Sequence, residues 1–403
     1  MNAEKVIKRD QKYVMHTYGR SPLVIERGEG MNAYDPQGHA YLDFTSGIGV
    51  NALGYCHPAW VRAVAEQAAK LQHTSNLYYT GPCGKLAKKL CAAAGMDQVF
   101  FGNSGAEANE GAIKCARKYS VAKYGEGRSK VISLENSFHG RTLATLTATG
   151  QDVFHHDFGP FPGEFTYVPA NDIAALQAAV DETTCAVLME LVQGEGGVVA
   201  LDAGYVHAVA ALCAEKDILV IVDEVQTGVG RTGTFLACQH FGLRPDLVTL
   251  AKGLGGGLPI GAVLATEKVA ACMGAGSHGS TFGGNPVVCA GGCAVLDLVT
   301  DDDFMKNVAD RAAQLWDGLK KLPHVVGVSG LGLMIGIALE DGYQAAEIRA
   351  ACEKAGLLVL TAKTRVRLLP PLILSEQDVD KALLILGNAL AEAKAPAAAA
   401  PTA

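Results

Sequence analysis

Five short apolar runs constrain the architecture more than any other feature of the chain. They are QVFF (98–101), KVISL (130–134), CAVLME (185–190), DILVIVDE (217–224) and DLVTLA (246–251). None alternates apolar with polar residues, as a strand with one wet face would. Their length and β-branched content read as strands buried on both faces. Longer helical patterns separate them: AEANEGAIKCARKYSVAKYG (106–125), DIAALQAAVDE (172–182) and GYVHAVAALCAEKD (204–217). Strand–helix–strand alternation predicts a mostly parallel sheet with right-handed crossovers, over about residues 55–290.

The two ends of the chain read differently. Residues 20–50 carry short strands and turns, and residues 300–395 mix amphipathic helices with short strands. A second, α+β domain built from both ends follows. The expected division is 1–54 (N-terminal part of the small domain), 55–295 (large domain), 296–392 (C-terminal part of the small domain) and 393–403, a low-complexity tail expected to be disordered.

Composition removes several function classes. The net charge is −7 and no basic cluster exceeds ARK or AKK, so a nucleic-acid partner is not expected. The eleven cysteines are odd in number and include no CxxC pair, which argues for reduced thiols rather than a disulfide framework or a metal site. The start lacks an apolar signal core, and no apolar run reaches the ~18 residues that span a bilayer. A cytoplasmic protein with no membrane contact is the expectation.

The chemistry lies at the strand ends, where ligands of open α/β sheets bind. After the first run, Asn103-Ser104-Gly105 turns into a helix. Ser104 is a good N-cap, and Glu107 completes a capping-box pattern. A helix start with free N–H groups and a hydroxyl can cradle a phosphate, although an ordinary capped helix looks the same. After the second run come Phe138, His139, Gly140 and Arg141. An aromatic face can stack on a planar ring and an arginine can hold a carboxylate, but an ordinary surface loop can carry both. Asp223 and Glu224 end a fully apolar strand. Such an acid needs a partner: a metal, an arginine, a protonated ring nitrogen or a structural ion pair. The stretch GVGRTG (228–233) fits a dinucleotide fingerprint only in spelling. Asp223-Glu224-Val225-Gln226-Thr227 intervene between the apolar part of the strand and its first glycine, and the next acid is Asp246. Lys252 follows the last run directly and precedes a glycine cluster. Burial lowers the pKa of a lysine there and makes its amine a nucleophile toward carbonyls. Phosphate cradle, stacking aromatic, buried acid and strand-end lysine are together what pyridoxal 5′-phosphate (PLP) needs.

The motifs NSGAEANEGAIK, SFHGRT, MELVQGEGG, VDEVQTGVGRTG, LAKGLGGGLPIGA, HGSTFGGNP and VRLLPP resemble the class III (ω-) aminotransferases of PLP fold type I, over about residues 15–390. The resemblance implies an α/β fold with a seven-stranded-type, mostly parallel sheet between helices, plus the small α+β domain. It implies that Lys252 binds the cofactor covalently and shuttles a proton, and that Asp223 holds the ring N–H. Val225 and Phe138 would sandwich the ring, Gln226 would contact its 3′ oxygen, and Ser104, Gly105 and Ala106 would bind the phosphate. Ala106 stands where many members carry threonine, which removes one hydroxyl contact. Thr281 would reach the phosphate of a neighbouring subunit in a homodimer with shared sites. His139 would either touch the cofactor or pack behind it. For substrates, Arg141 would bind the α-carboxylate. Arg367 would pair with Glu195 until a second carboxylate displaces that acid, with Glu190 supporting the network and Ile48 tuning which substrate end reacts.

DFTSGIGVNALGYCHP with AKGLGGGLPIGA is most similar to the acetylornithine-acting branch, whose reaction serves arginine biosynthesis. Ornithine, succinylornithine, 4-aminobutyrate and putrescine stand as alternative amino donors. A nicotinamide-dependent oxidoreductase using GVGRTG, and a PLP-binding protein without catalysis, stand as alternative functions.

Overall fold

The computed structural model describes residues 2–393. The expected tail lies outside the described residues from 394 onward; Ala393 caps the last helix, Glu376–Glu392. A central seven-stranded sheet is formed by β1 (Gln98–Gly102), β2 (Lys130–Leu134), β3 (Phe165–Val168), β4 (Thr184–Met189), β5 (Leu219–Asp223), β6 (Leu247–Leu250) and β7 (Gly261–Ala265). Their order is β1-β7-β6-β5-β4-β2-β3. Every residue of β4, β5, β6 and β7 is buried, the pattern of strands covered on both faces.

The five apolar runs all became strands of this sheet. The sheet holds two more, β3 and β7. β3 is an edge strand with only Val168 buried, and β7 is short, small and preceded by glycines, so neither stood out from loop sequence. β7 is antiparallel to both its neighbours, and the other pairs are parallel.

Helix α1 (Gly105–Tyr124) leaves β1 and crosses β6 and β7. Its buried stripe of Ala108, Gly111, Ala112 and Ala116 is small, so the helix lies close to the sheet. A Cβ on Gly111 would come within 2.9 Å of Val263. The same closeness recurs at the helix start. A Cβ on Gly261 would fall 2.2 Å from the Ser104 carbonyl oxygen, which is backbone and cannot step aside.

Asp223 and Glu224 separate into two roles at the end of β5. Glu224 is fully buried and accepts the N–H groups of Ala237 (3.0 Å) and Cys238 (2.8 Å) and the Thr227 hydroxyl (2.5 Å). It fastens the loop that contains GVGRTG. That stretch is turn, with Val229 and Gly230 in the left-handed region and no helix opening from it. Its Arg231 is buried and donates to the carbonyls of Leu333 and Pro370, tying this loop to the C-terminal part of the chain.

The two ends of the chain share a sheet. Arg27–Glu29, Asn32–Tyr34 and Ala40–Asp43 are antiparallel neighbours, and Leu357–Leu358 adds to Ala40–Asp43 in parallel. A further antiparallel sheet contains Val325–Leu331, Met334–Leu339, Leu360–Ala362 and Arg365–Leu368. Among the described residues no helix is long and apolar enough to cross a membrane.

Gly261→Ala should destabilise the chain by about 2 kcal/mol or more, because backbone must move to admit one methyl group. Urea denaturation would measure this, and an unchanged midpoint would contradict the close packing of β7 on the helix start.

Candidate active site

Parallel pairing sends the carboxyl ends of β2, β4, β5 and β6 to one edge of the sheet, beside the N-terminus of α1. A cavity of about 440 Å³ opens there. Its lining includes Ser104, Gly105, Ala106, Phe138, His139, Arg141, Glu190, Asp223, Val225, Gln226 and Lys252, which sequence reasoning had selected from five separate stretches.

The helix start differs from expectation in one respect. Ser104 Oγ accepts the Glu107 N–H at 3.2 Å, as an N-cap should. The Glu107 carboxylate does not return to the Ser104 N–H, however. It takes both the backbone N–H and the side-chain amide of Asn103. Only half of the capping box forms, so Glu107 does not consume the Ser104 N–H at the cavity wall. Val225 backs this turn: a Cβ on Gly105 would meet Val225 Cγ1 at 2.7 Å.

Asp223 is 4% exposed and has three donors around its carboxylate. Oδ2 lies 2.7 Å from Asn109 Nδ2 and 2.8 Å from His139 Nδ1; Oδ1 accepts the Val225 N–H at 3.0 Å. His139 Nε2 is buried with no partner, and His139 also lines the cavity. Glu190 accepts the Phe138 N–H at 2.9 Å.

The Arg141 guanidinium lies over the Phe154 ring, 4.1 Å from its centroid, and over the Phe138 ring at 5.5 Å. The two rings meet edge to face, 5.8 Å apart. Among the described residues no ion pair holds Arg141, so two aromatic faces position a cation with its donors still available. Arg367 instead is nearly buried and bound. Its Nη1 donates to Glu195 Oε1 at 2.7 Å and to Gln226 Oε1 at 3.5 Å.

Lys252 has φ +40°, in the left-handed region, on the first residue of a tight turn. Protein surrounds it except where its side chain meets the cavity. Burial pushes its pKa down, and Arg367 pushes the same way, against Glu195, Asp223 and Glu190. Burial also pushes the Glu190 carboxyl up to about 7, helped by Asp223 and opposed by His139, the Phe138 N–H and Lys252. Burial would raise Glu195 too, but attraction and hydrogen bonding from Arg367 outweigh it and leave that carboxyl below its ordinary value.

Four selected residues lie outside the cavity lining: Glu195 and Arg367, which pair with each other, and Ile48 and Thr281. Ile48 is exposed beside it, two residues before the lining residue Val50. Residues 46–49 all have positive φ, and the strain is braced from both sides: Asp43 Oδ1 accepts the N–H groups of Thr45 and Ser46, and the Ser46 hydroxyl donates to the Leu369 carbonyl. Thr281 is exposed; its neighbour Ser280 accepts from Asn103 at 3.1 Å.

Sequence reasoning missed Asn109, Thr249 and Phe154. Asn109 is a polar residue inside the apolar stripe of α1, and Thr249 is the one polar residue of β6; those were the signals. Phe154 carried none.

The donor set fits PLP. The open helix start could take its phosphate, Phe138 and Val225 could flank its ring, Asp223 could face the ring nitrogen, and Lys252 could bond its aldehyde. Comparison with known proteins agrees. The family described as aminotransferase class-III matches residues 13–390. The acetylornithine aminotransferase of Haemophilus ducreyi is 51% identical, covering 97% of this chain and all of the relative. That of Methanocaldococcus jannaschii is 46% identical, covering 98% and 100%. Among solved structures, the ornithine aminotransferase of Toxoplasma gondii has a TM-score of 0.93 at 32% identity, covering 97% and 95% of the two chains. The N-acetylornithine aminotransferase of Stenotrophomonas maltophilia has a TM-score of 0.82 at 35% identity, covering 96% and 98%. A lysine and an acid on adjacent strand ends, a helix start for an anion and this agreement along the whole fold lead to one conclusion: the chain belongs to the class III aminotransferases and is a PLP-dependent enzyme.

Proposed function

We propose that the enzyme moves the ω-amino group of N-acetylornithine to 2-oxoglutarate, giving N-acetylglutamate 5-semialdehyde and glutamate. The observation that carries this reading is the contrast between its two arginines. Arg141 is available in the cavity, whereas Arg367 is held by Glu195 at 2.7 Å. One pocket must accept a monocarboxylate with a neutral acetamido group and then a dicarboxylate. A cation that is masked for the first and exposed for the second meets both demands. Arg141 binds the α-carboxylate of the donor. Glu195 swings away when the second carboxylate of 2-oxoglutarate or glutamate reaches Arg367. The names of the relatives at 51% and 46% identity support the acetylated donor over ornithine.

When bound, PLP supplies an aldehyde that takes the amino group and a ring that takes up the electron pair left by proton removal. Lys252, with its amine shifted toward the neutral form, holds and moves that proton. Asp223 would hold the ring nitrogen in its protonated form, and Phe138 and Val225 would flank the two faces of the ring. Gln226 contacts the 3′ oxygen and Glu190 supports the substrate side. Ser104, Gly105 and Ala106 hold the phosphate. Ile48 shapes the entry.

A homodimer completes the site in this reading. Leu77, Tyr78, Tyr79 and Phe282 are strongly exposed. Their two segments are joined, because Asn76 donates to the carbonyls of Ser280 and Gly283. Such an apolar face beside Thr281 suits a partner subunit whose phosphate Thr281 would reach. The sheet shared by both chain ends supports a small domain of 1–54 and 296–392 against a large domain of 55–295. Eleven unpaired thiols fit a cytoplasmic location.

Lys252→Ala should abolish turnover with an unchanged circular dichroism spectrum, and Asp223→Ala should cost far more kcat than Asp246→Ala. Full activity without Lys252, or equal losses at the two acids, would defeat the assignment. Across a donor panel, kcat/KM should be highest for N-acetylornithine; a clear preference for 4-aminobutyrate, ornithine, succinylornithine or putrescine would name a different substrate.

Glu190 adds a pH signature. Its folded pKa, about 7, exceeds the ordinary 4.5, so its stabilising contribution is complete below pH 4.5 and is lost as pH rises through 7. Glu190→Gln should therefore gain stability relative to the parent between pH 5 and 8, by roughly 1–3 kcal/mol in the cofactor-free chain. Urea midpoints that run parallel over that range would show that Glu190 is not perturbed.

A further inference from the structure

We propose that Asn109 is a positioning residue that ties the acid facing the cofactor ring to the helix that holds the cofactor phosphate. This rests on the reading of Asp223 given above. Asn109 is 1% exposed and lies four residues after Gly105 on α1. Its amide spends both hydrogens: one on Asp223 Oδ2 at 2.7 Å and one on the His139 carbonyl at 2.8 Å. Its oxygen accepts the Thr249 hydroxyl at 2.7 Å. The orientation of this amide is forced, because rotation would set its oxygen against a carboxylate and a carbonyl, both acceptors.

Thr249 stands directly opposite Asp223 in the parallel register of β5 and β6. The relay therefore runs from one strand, through the helix, to the neighbouring strand. It has a directional consequence. Oδ2 of Asp223 is occupied by Asn109 and His139, while Oδ1 takes only the Val225 N–H and keeps a lone pair. A carboxylate swivels easily about its last torsion unless something holds it. Asn109 shares that hold with His139 and the Val225 N–H, and of the three it alone belongs to α1.

One rigid helix then controls both ends of the cofactor. Ser104 and Gly105 at its start face the phosphate, and Asn109, about 6 Å further along the axis, sets the acid. A residue that merely satisfied the His139 carbonyl would have no reason to reach the acid as well.

The test compares two ligands on the full-length chain stripped of cofactor: PLP, and 1-deazapyridoxal 5′-phosphate, which carries C–H in place of the ring nitrogen. Asn109→Ala should weaken PLP binding about tenfold and Thr249→Val roughly threefold, with the deaza analogue changed by less than about twofold in either. Binding is read by fluorescence quenching, without turnover. If both ligands weaken equally in both variants, Asn109 is only structural and the proposal fails. Asp223→Asn is the control. If it too fails to distinguish the ligands, the ring–acid reading is wrong; if it distinguishes them and the other variants do not, only the role of Asn109 falls. Should Asn109→Ala not fold, Thr249→Val, which leaves Asn109 in place, decides alone.

Discussion

The parallel pairing of β5 with β6 is the constraint on which the rest depends. It places Asp223 opposite Thr249, and the chain then runs three residues further to Lys252. An acid and an amine thus reach the same edge from adjacent strands with no loop long enough to let either wander. The antiparallel β7 brings the chain back beside β1, and Gly261 packs against the Ser104 backbone. The N-terminal end of α1 is fixed to that same edge by contact with main chain rather than with a movable side chain.

The electrostatics follow from burying many charges in one small volume. Lys252, Arg141 and Arg367 face Asp223, Glu190 and Glu195. Each acid meets desolvation differently. Asp223 has three donors, Glu195 has an arginine, and Glu190 has one N–H and is pushed up to about 7. Lys252 feels the opposite pull of its neighbours, but burial dominates and its amine is shifted toward the neutral, reactive form.

Much of this was legible in the chain, and the exceptions have physical reasons. The runs that became β4, β5 and β6 announced themselves because both their faces are covered. β3 did not, because an edge strand needs no apolar faces, and β7 did not, because its glycines and alanines exist to let other backbone approach. Lys252 and Asp223 could be found from position alone, as polar residues where apolar runs stop. Asp223 could not be told from Glu224 that way; only the N–H groups around Glu224 distinguish the fastener from the acid at the cavity. Arg367 and Glu195 lie far apart in sequence, and only resemblance to a family linked them. Phe154 is an aromatic on a loop, and nothing local shows that it supports Arg141. The capping box was read one residue too far, since a pattern of residue types does not say which N–H a carboxylate will choose.

The sheet shared by both ends of the chain sets an order of events. Leu42 has no partner in the C-terminal direction until Leu357 has been made. The braced segment beside the cavity leans on Leu369 in the same way. As the chain emerges from the ribosome, these early residues must wait for the last ones. The rim of the pocket is therefore a joint product of both chain ends, and a chain cut short before residue 357 would lack the strand that pairs with Leu42 and the carbonyl that braces Ser46.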